Sequence, residues 1–379
     1  MGAVADSASV SKLAPSPEIP RPDTPAPQSG TLTAGDYDDV LNPDLYKVYL
    51  DKMLQGPLGK KNLPYVDTAG RIGVTVTDRL GKPAPFEQVD VLNSDGKRIF
   101  ALTTGADGKV YIYPQFDALG DEVTVKVAAT KNGKAVAQTI DLSKKTYTQS
   151  INLSLSGDAA KVQKLDLLLT LDATGSMGDE MAYLKAELVA ILQRIKDSQP
   201  GINIRAGLIV YRDNGDQYVV RDFDFTGNLD TFAENLLAQS ANGGGDMPEA
   251  MQDAMSTGLD FKWRKDAIKV NLLVADAPPH DKDIAETWNA ALKSRVEGIH
   301  VVPLAASGVD KTAEFLMRSM GQITGGRYLF LTDDSGVGNP HAEPTVDCYV
   351  VTRLDSLVER VLTSLVTGVR AEPDGDEVV

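Results

Sequence analysis

From Leu165 onward, short unbroken apolar runs alternate with amphipathic segments, and this pattern constrains the fold more than any other feature of the chain. LDLLLTLD, INIRAGLIVYRD, AIKVNLLVAD, IHVVPLAAS and GRYLFL read as strands. Between them lie segments with helical spacing. One carries Met181, Leu184, Leu188, Ile191 and Ile195 on a single face, and FAENLLAQ, PEAMQDAM, DIAETWNAALKSRVEG, AEFLMRSMGQITG and RLDSLVERVLTSLVTG follow. A strand that is apolar at consecutive positions needs cover on both faces. Helices between such strands supply it, which predicts an α/β domain over residues 160–370 with a doubly wound, mostly parallel, Rossmann-like sheet.

The preceding residues follow other rules. Residues 1–30 include APSPEIPRPDTPAPQSG, too poor in large apolar groups to offset the entropy of ordering, and read as a flexible Pro-rich tether. Residues 31–66 read as a short helical or irregular segment. Leu45, Val48, Tyr49 and Met53 recur at helical spacing after Pro43, and the acidic loop before them lacks the glycine of an EF-hand. Over residues 67–158 the period falls to two (Ile72, Val74, Val76; Val123, Val125, Val127; Ile151, Leu153, Leu155), with turn signals in RLGKPAP, NSDGK, GADGK and KNGK. This predicts a small antiparallel β-sandwich of spacer or stiffening role. The succession of GKPAP, SDGK and TTGADGKVYIYP resembles carboxypeptidase regulatory-like, or transthyretin-like, domains. Residues 371–379 form an acidic tail.

Composition excludes several roles. A net charge of −15 opposes binding to nucleic-acid backbones, which are met by Lys and Arg, whereas it suits divalent cations and basic protein surfaces. The single cysteine, Cys348, rules out an internal disulfide and any cysteine-based metal knuckle. No run of 18 apolar residues is present and the N-terminus has no basic, apolar leader, so a soluble chain without a direct membrane span is expected.

In a doubly wound sheet, ligands bind beyond the C-terminal ends of the strands, where strand order reverses. The first strand of this domain ends in LDATGSMGDE. Asp172, Thr174 and Ser176 stand at alternating positions and offer one carboxylate and two hydroxyls, hard oxygen donors suited to Mg²⁺, Mn²⁺ or Ca²⁺. Gly175 and Gly178 are expected to let that loop curl. The strand VNLLVAD likewise ends in Asp276, and GGGDMPEA places Asp246 and Glu249 in a glycine-rich loop opening a helix. Three loops leaving one sheet edge thus carry acidic groups to one place. His280, His300 and His341 form no recognisable pair. There is no GxxxxGK[ST] loop, and TGSMG departs from the GxSxG elbow because Thr174 replaces the first glycine.

On these residues the chain resembles the von Willebrand factor A domain with its metal-ion-dependent adhesion site. DATGS matches the DxSxS pattern through Asp172, Thr174 and Ser176, and Asp276 matches the late-strand aspartate. DATGSMGDE and DMPEA are similar to the I-like domain of integrin β subunits, although the long specificity insertion of that domain is missing. The resemblance implies Glu249 as a further ligand of the central Mg²⁺ or Mn²⁺, and Asp246 as a candidate for a third site. It implies Asp179 and Glu180 as candidates for an adjacent, Ca²⁺-holding site. By charge alone those two equally read as residues stabilising a helix N-terminus.

The function implied is non-enzymatic, divalent-cation-dependent protein binding, of adhesion or assembly type, in which an Asp or Glu of a partner protein completes the metal shell. The tether and sandwich suggest a bacterial envelope protein, in the periplasm or at the cell surface, whose leader has been removed. The alternative implied by the same family is a partner subunit of an AAA+ ATPase in a chelatase or cofactor-insertion complex.

Overall fold

The structure, a computed structural model, describes residues 32–143, 148–245, 247–335, 344–346 and 348–375. The tether, Asp246, His341 and residues 376–379 of the acidic tail lie outside the described residues. The chain opens with strand β1 (Thr33–Tyr37) and helix α1 (Pro43–Leu54), then forms a sandwich of β2 (Ile72–Thr77), β3 (Gln88–Leu92), β4 (Arg98–Thr103), β5 (Lys109–Ile112), β6 (Thr124–Lys131), β7 (Lys134–Asp141) and β8 (Gln149–Ser154). The α/β part follows with β9 (Lys164–Asp172), α2 (Gly178–Ser198), β10 (Asn203–Tyr211), β11 (Val220–Thr226), α3 (Leu229–Leu237) and α4 (Met251–Leu259). It continues through β12 (Ile268–Ala275), α5 (Ile284–Glu297), β13 (Ile299–Ala305), α6 (Lys311–Thr324), β14 (Tyr328–Thr332), β15 (Thr352–Arg353) and α7 (Leu354–Thr367).

The main sheet runs β11-β10-β9-β12-β13-β14-β1-β15. Pairing is parallel from β10 to β14, with β11 and β1 antiparallel at the two sides. The mostly parallel α/β fold predicted from the unbroken apolar runs is therefore present. LDLLLTLD is buried throughout because α2, α3 and α7 cover one face of the sheet, while α1, α4, α5 and α6 cover the other. The one charge early in that strand, Asp166, is fully buried and held by Arg205 at 2.8 and 3.0 Å and by Arg264 at 2.8 Å.

Three features depart from the expectations. Residues 31–66 do not stand apart, because β1 pairs with β14 from Thr33↔Thr332 to Tyr37↔Tyr328 and so belongs to the main sheet. Helix α1 does start at Pro43, but it buries Tyr46, Tyr49, Leu50 and Met53 and leaves Leu45 and Val48 exposed. Tyr46 decides the rotation: its ring is buried and its hydroxyl donates to Ser319 Oγ at 2.9 Å. In the sandwich, β4-β3-β6-β7 is antiparallel as expected, whereas in β5-β2-β8 strand β8 runs parallel to β2.

The sandwich docks against the N-terminal ends of the parallel strands, opposite the edge at which Asp172 and Asp276 emerge. Arg295 of α5 forms a two-pronged ion pair with Asp117, and its Nη2 donates to the Tyr111 carbonyl at 2.9 Å. Tyr113 donates its hydroxyl to the Gln322 carbonyl at 3.2 Å. No helix among the described residues is long and apolar enough to cross a membrane.

Candidate functional site

Strand order reverses between β9 and β12: the chain moves from β9 outward to β10 and β11, then returns to β12 on the other side of β9. These neighbours pair in parallel with Leu171 opposite Val274, so Asp172 at the end of β9 and Asp276 just beyond β12 emerge side by side. The segment joining α3 to α4 closes over them. Asn242 N–H donates to the Ala173 carbonyl, Gly175 N–H to the Gly243 carbonyl and Glu249 N–H to the Pro278 carbonyl, each at 3.0 Å. The three loops are thereby laced together by backbone bonds.

Asp172, Thr174, Glu249 and Asp276 are 0, 2, 4 and 6% exposed, while Ser176 is open to solvent. Asp172 Oδ1 accepts from Thr174 N at 2.9 Å and Thr174 Oγ1 at 2.7 Å, and Ser176 Oγ lies 3.4 Å from Thr174 Oγ1. The second oxygens are left over: Asp172 Oδ2, Asp276 Oδ1 and Glu249 Oε2 are buried with no hydrogen-bond partner among the described residues. Such groups resist ionisation. Burial, and then the charge of Asp276, push the Asp172 carboxyl up to about 7 against the Thr174 bonds. Burial and then Asp172 push Glu249 up to about 9. Asp276 is also raised by burial, partly offset by the Ser176 hydroxyl. The Tyr211 hydroxyl sits near all three carboxylates and is raised well above the ordinary tyrosine range, first by burial and then by those charges.

Three buried carboxylates with unmatched oxygens, beside two hydroxyls, are a donor set that fits a hard divalent cation. Among the described residues no three His, Cys, Asp or Glu side chains gather tightly enough to hold a metal by themselves. The fit therefore needs the hydroxyls of Thr174 and Ser176. The space between the loops is preserved by Gly244, at φ +67°: a Cβ there would lie 2.9 Å from Glu249 Oε1 and 3.1 Å from Thr174 Cβ. Gly243 and Gly244 provide the left-handed backbone. Gly175 and Gly178 do not, since neither has positive φ and Gly178 simply begins α2 at φ −60°.

Glu180 and Asp179 separate. Asp179 is partly exposed in the first turn of α2. Glu180 is buried; its Oε1 accepts from the Ser307 N–H at 3.0 Å and from the Ser307 hydroxyl, while Oε2 has no partner among the described residues.

Several residues here escape the sequence reading. Arg212, 4% exposed, donates from Nε to the Ala173 carbonyl at 3.1 Å and from Nη2 to the Ser240 carbonyl at 2.8 Å. Asp216 Oδ2 accepts from Gly244 N–H at 2.9 Å. His280 Nε2 lies 2.6 Å from Asp213 Oδ1, pinning the loop after β12 to the loop after β10. The signal was available, because YRDNGD also leaves the C-terminal end of a predicted strand and falls under the same sheet-edge rule.

Residues 166–335 match the family model of the von Willebrand factor A domain. This segment is a von Willebrand factor A-type domain. The chain also has curated relatives. The chain is 31% identical over 188 residues to an ariadne-like RING finger protein of Acanthamoeba polyphaga mimivirus, covering 44% of this chain and 18% of that protein. It is 27% identical over 157 residues to the alpha-protein kinase vwkA of Dictyostelium discoideum, covering 41% and 25%. The chain thus spans a quarter or less of the length of these relatives. Among solved structures, BatB of Bacteroides thetaiotaomicron overlaps 53% of this chain and 98% of its own at 12% identity and a TM-score of 0.36. The pilus adhesin SpaC of Lactobacillus rhamnosus GG in its open conformation overlaps 65% and 32% at 13% identity and a TM-score of 0.38.

Proposed function

We propose that this chain is a non-enzymatic protein-binding module of adhesion or assembly type, whose A-type domain engages its partner through a divalent cation. The observation that carries this reading is the set of buried, partnerless oxygens on Asp172, Asp276 and Glu249 at the sheet's reversal point. Thr174 and Ser176 complete the set. When bound, Mg²⁺ or Mn²⁺ supplies a coordination position open to a carboxylate from another protein. The chain's own residues orient the donors: Arg212 fixes the Ala173 carbonyl, and the Gly243–Gly244 backbone keeps Glu249 clear. An adjacent Ca²⁺ position would draw on Asp179 and the spare Oε2 of Glu180. A non-catalytic role is supported by the surroundings of Ser176, whose hydroxyl faces Thr174 and Asp276 while His280 is engaged by Asp213. Residence in a bacterial envelope belongs to this reading on the strength of the Pro-rich N-terminal stretch and the sandwich.

Titration calorimetry of the full chain with Mg²⁺ and Mn²⁺ tests the proposal. The wild type is expected to take up the ion and Asp172→Ala to lose it, with partner capture from extracts abolished by EDTA. No uptake of either ion by the wild type at millimolar concentration would overturn the reading.

A further inference from the structure

The geometry points to a second anchor beside the metal face, Arg221, which reads a second carboxylate on the partner. This deepens the proposed function and rests on it. Val220 pairs with Tyr211 and Tyr211 with Asp172, so the start of β11 lies two strands from the end of β9, roughly 10 Å away at ordinary strand spacing. Arg221 is the next residue and is exposed. Its guanidinium carbon lies 3.8 Å from the centre of the Tyr218 ring, and that of Arg212 lies 4.5 Å from the same ring. Because Arg212 is bound to the Ala173 carbonyl, a continuous stack runs from the metal loop through Tyr218 to Arg221. Stacking fixes the guanidinium plane and leaves its N–H edge available to a carboxylate.

No carboxylate among the described residues forms an ion pair with Arg221, in a chain carrying 53 acidic against 38 basic residues. Asp222, its neighbour, alternates to the other side of the strand. An acidic protein that places an unpaired, preoriented arginine next to a carboxylate-seeking edge is complementary to a doubly acidic segment. In an extended segment, side chains four positions apart lie on one face roughly 13 Å apart, enough to reach from the metal edge to Arg221.

The test uses a fluorescein-labelled, serine-rich peptide with two glutamates four positions apart, together with its two single-glutamine variants. Anisotropy is read with the full chain in Mg²⁺, and Mg²⁺ uptake is measured separately by calorimetry. Arg221→Ala is expected to weaken the doubly acidic peptide about fivefold, to the level of the single-glutamate peptides, and Arg221→Glu further. Arg221→Lys should recover part of the loss. Mg²⁺ affinity and circular dichroism should be unchanged in all three variants. Equal peptide binding by wild type and Arg221→Ala, or no peptide binding by a wild type that does take up Mg²⁺, overturns this inference and leaves the metal reading standing. Failure of the wild type to take up Mg²⁺ overturns both.

Discussion

Asp172 has one oxygen saturated by Thr174 and the other facing its acidic neighbours, so without a cation its ionisation is opposed. The sign of the pH dependence follows. Asp172 at about 7 and Glu249 at about 9 lie above the values of an unfolded chain, so the folded state holds more protons over that interval. Their favourable contribution is complete below about pH 4 and is lost as pH rises through the folded values. Metal-free protein should therefore melt at a lower temperature at pH 8 than at pH 5, and saturating Mg²⁺ should remove the difference. Asp172→Asn should stabilise the metal-free protein at pH 8 by at least about 1 kcal/mol while abolishing ion uptake. Thermal melts with and without Mg²⁺ check both outcomes. At this scale the sequence marked Asp172, Thr174, Ser176 and Asp276 through their positions at or just beyond strand ends, and Glu249 through a glycine-rich loop that the family resemblance ties to the same group. It did not mark Arg212 or Tyr211, because a residue's approach to a site across two strands depends on register.

At the scale of elements, β9 shows how far pattern reading extends. Its unbroken apolar run locates a central strand, and the structure places it between β10 and β12. Asp166 interrupts that run and is tolerated because two arginines from separate segments converge on it. Asp166→Ala would leave both guanidinium groups without their buried acceptor, and a loss of about 3 kcal/mol is expected in urea unfolding. The same substitution should not alter Mg²⁺ uptake, since Asp166 stands at the opposite end of the strand from Asp172. Helix α1 gives the complementary lesson: its start was legible from Pro43, but its buried face was not. Tyr46 and Leu45 are both large and apolar enough to face inward, and the contact with Ser319 selects Tyr46.

For the whole molecule, the sandwich and the A-type domain are joined by buried polar contacts as well as by the chain itself. Arg295 is held by Asp117 and the Tyr111 carbonyl, and burial leaves little water to replace those acceptors. Arg295→Ala should loosen the docking without unfolding either part. Small-angle scattering should then give a larger radius of gyration, and proteolysis should cut the connection near residues 156–163 more rapidly. An unchanged radius would show that Tyr113 and the backbone contacts suffice.

The sequence by itself determined the α/β pattern, the sandwich's period of two and the three acidic loops at one sheet edge. These depend on local periodicity and on a general rule of strand order, both carried by neighbouring residues. Only the tertiary structure decided that β1 joins the main sheet, that β8 runs parallel to β2, that Glu180 turns to Ser307, and that Arg212, Tyr218 and Arg221 stack beside the sheet edge that carries Asp172. Each of these joins residues distant in the chain, and their partners are selected by burial and hydrogen-bond satisfaction in the folded whole.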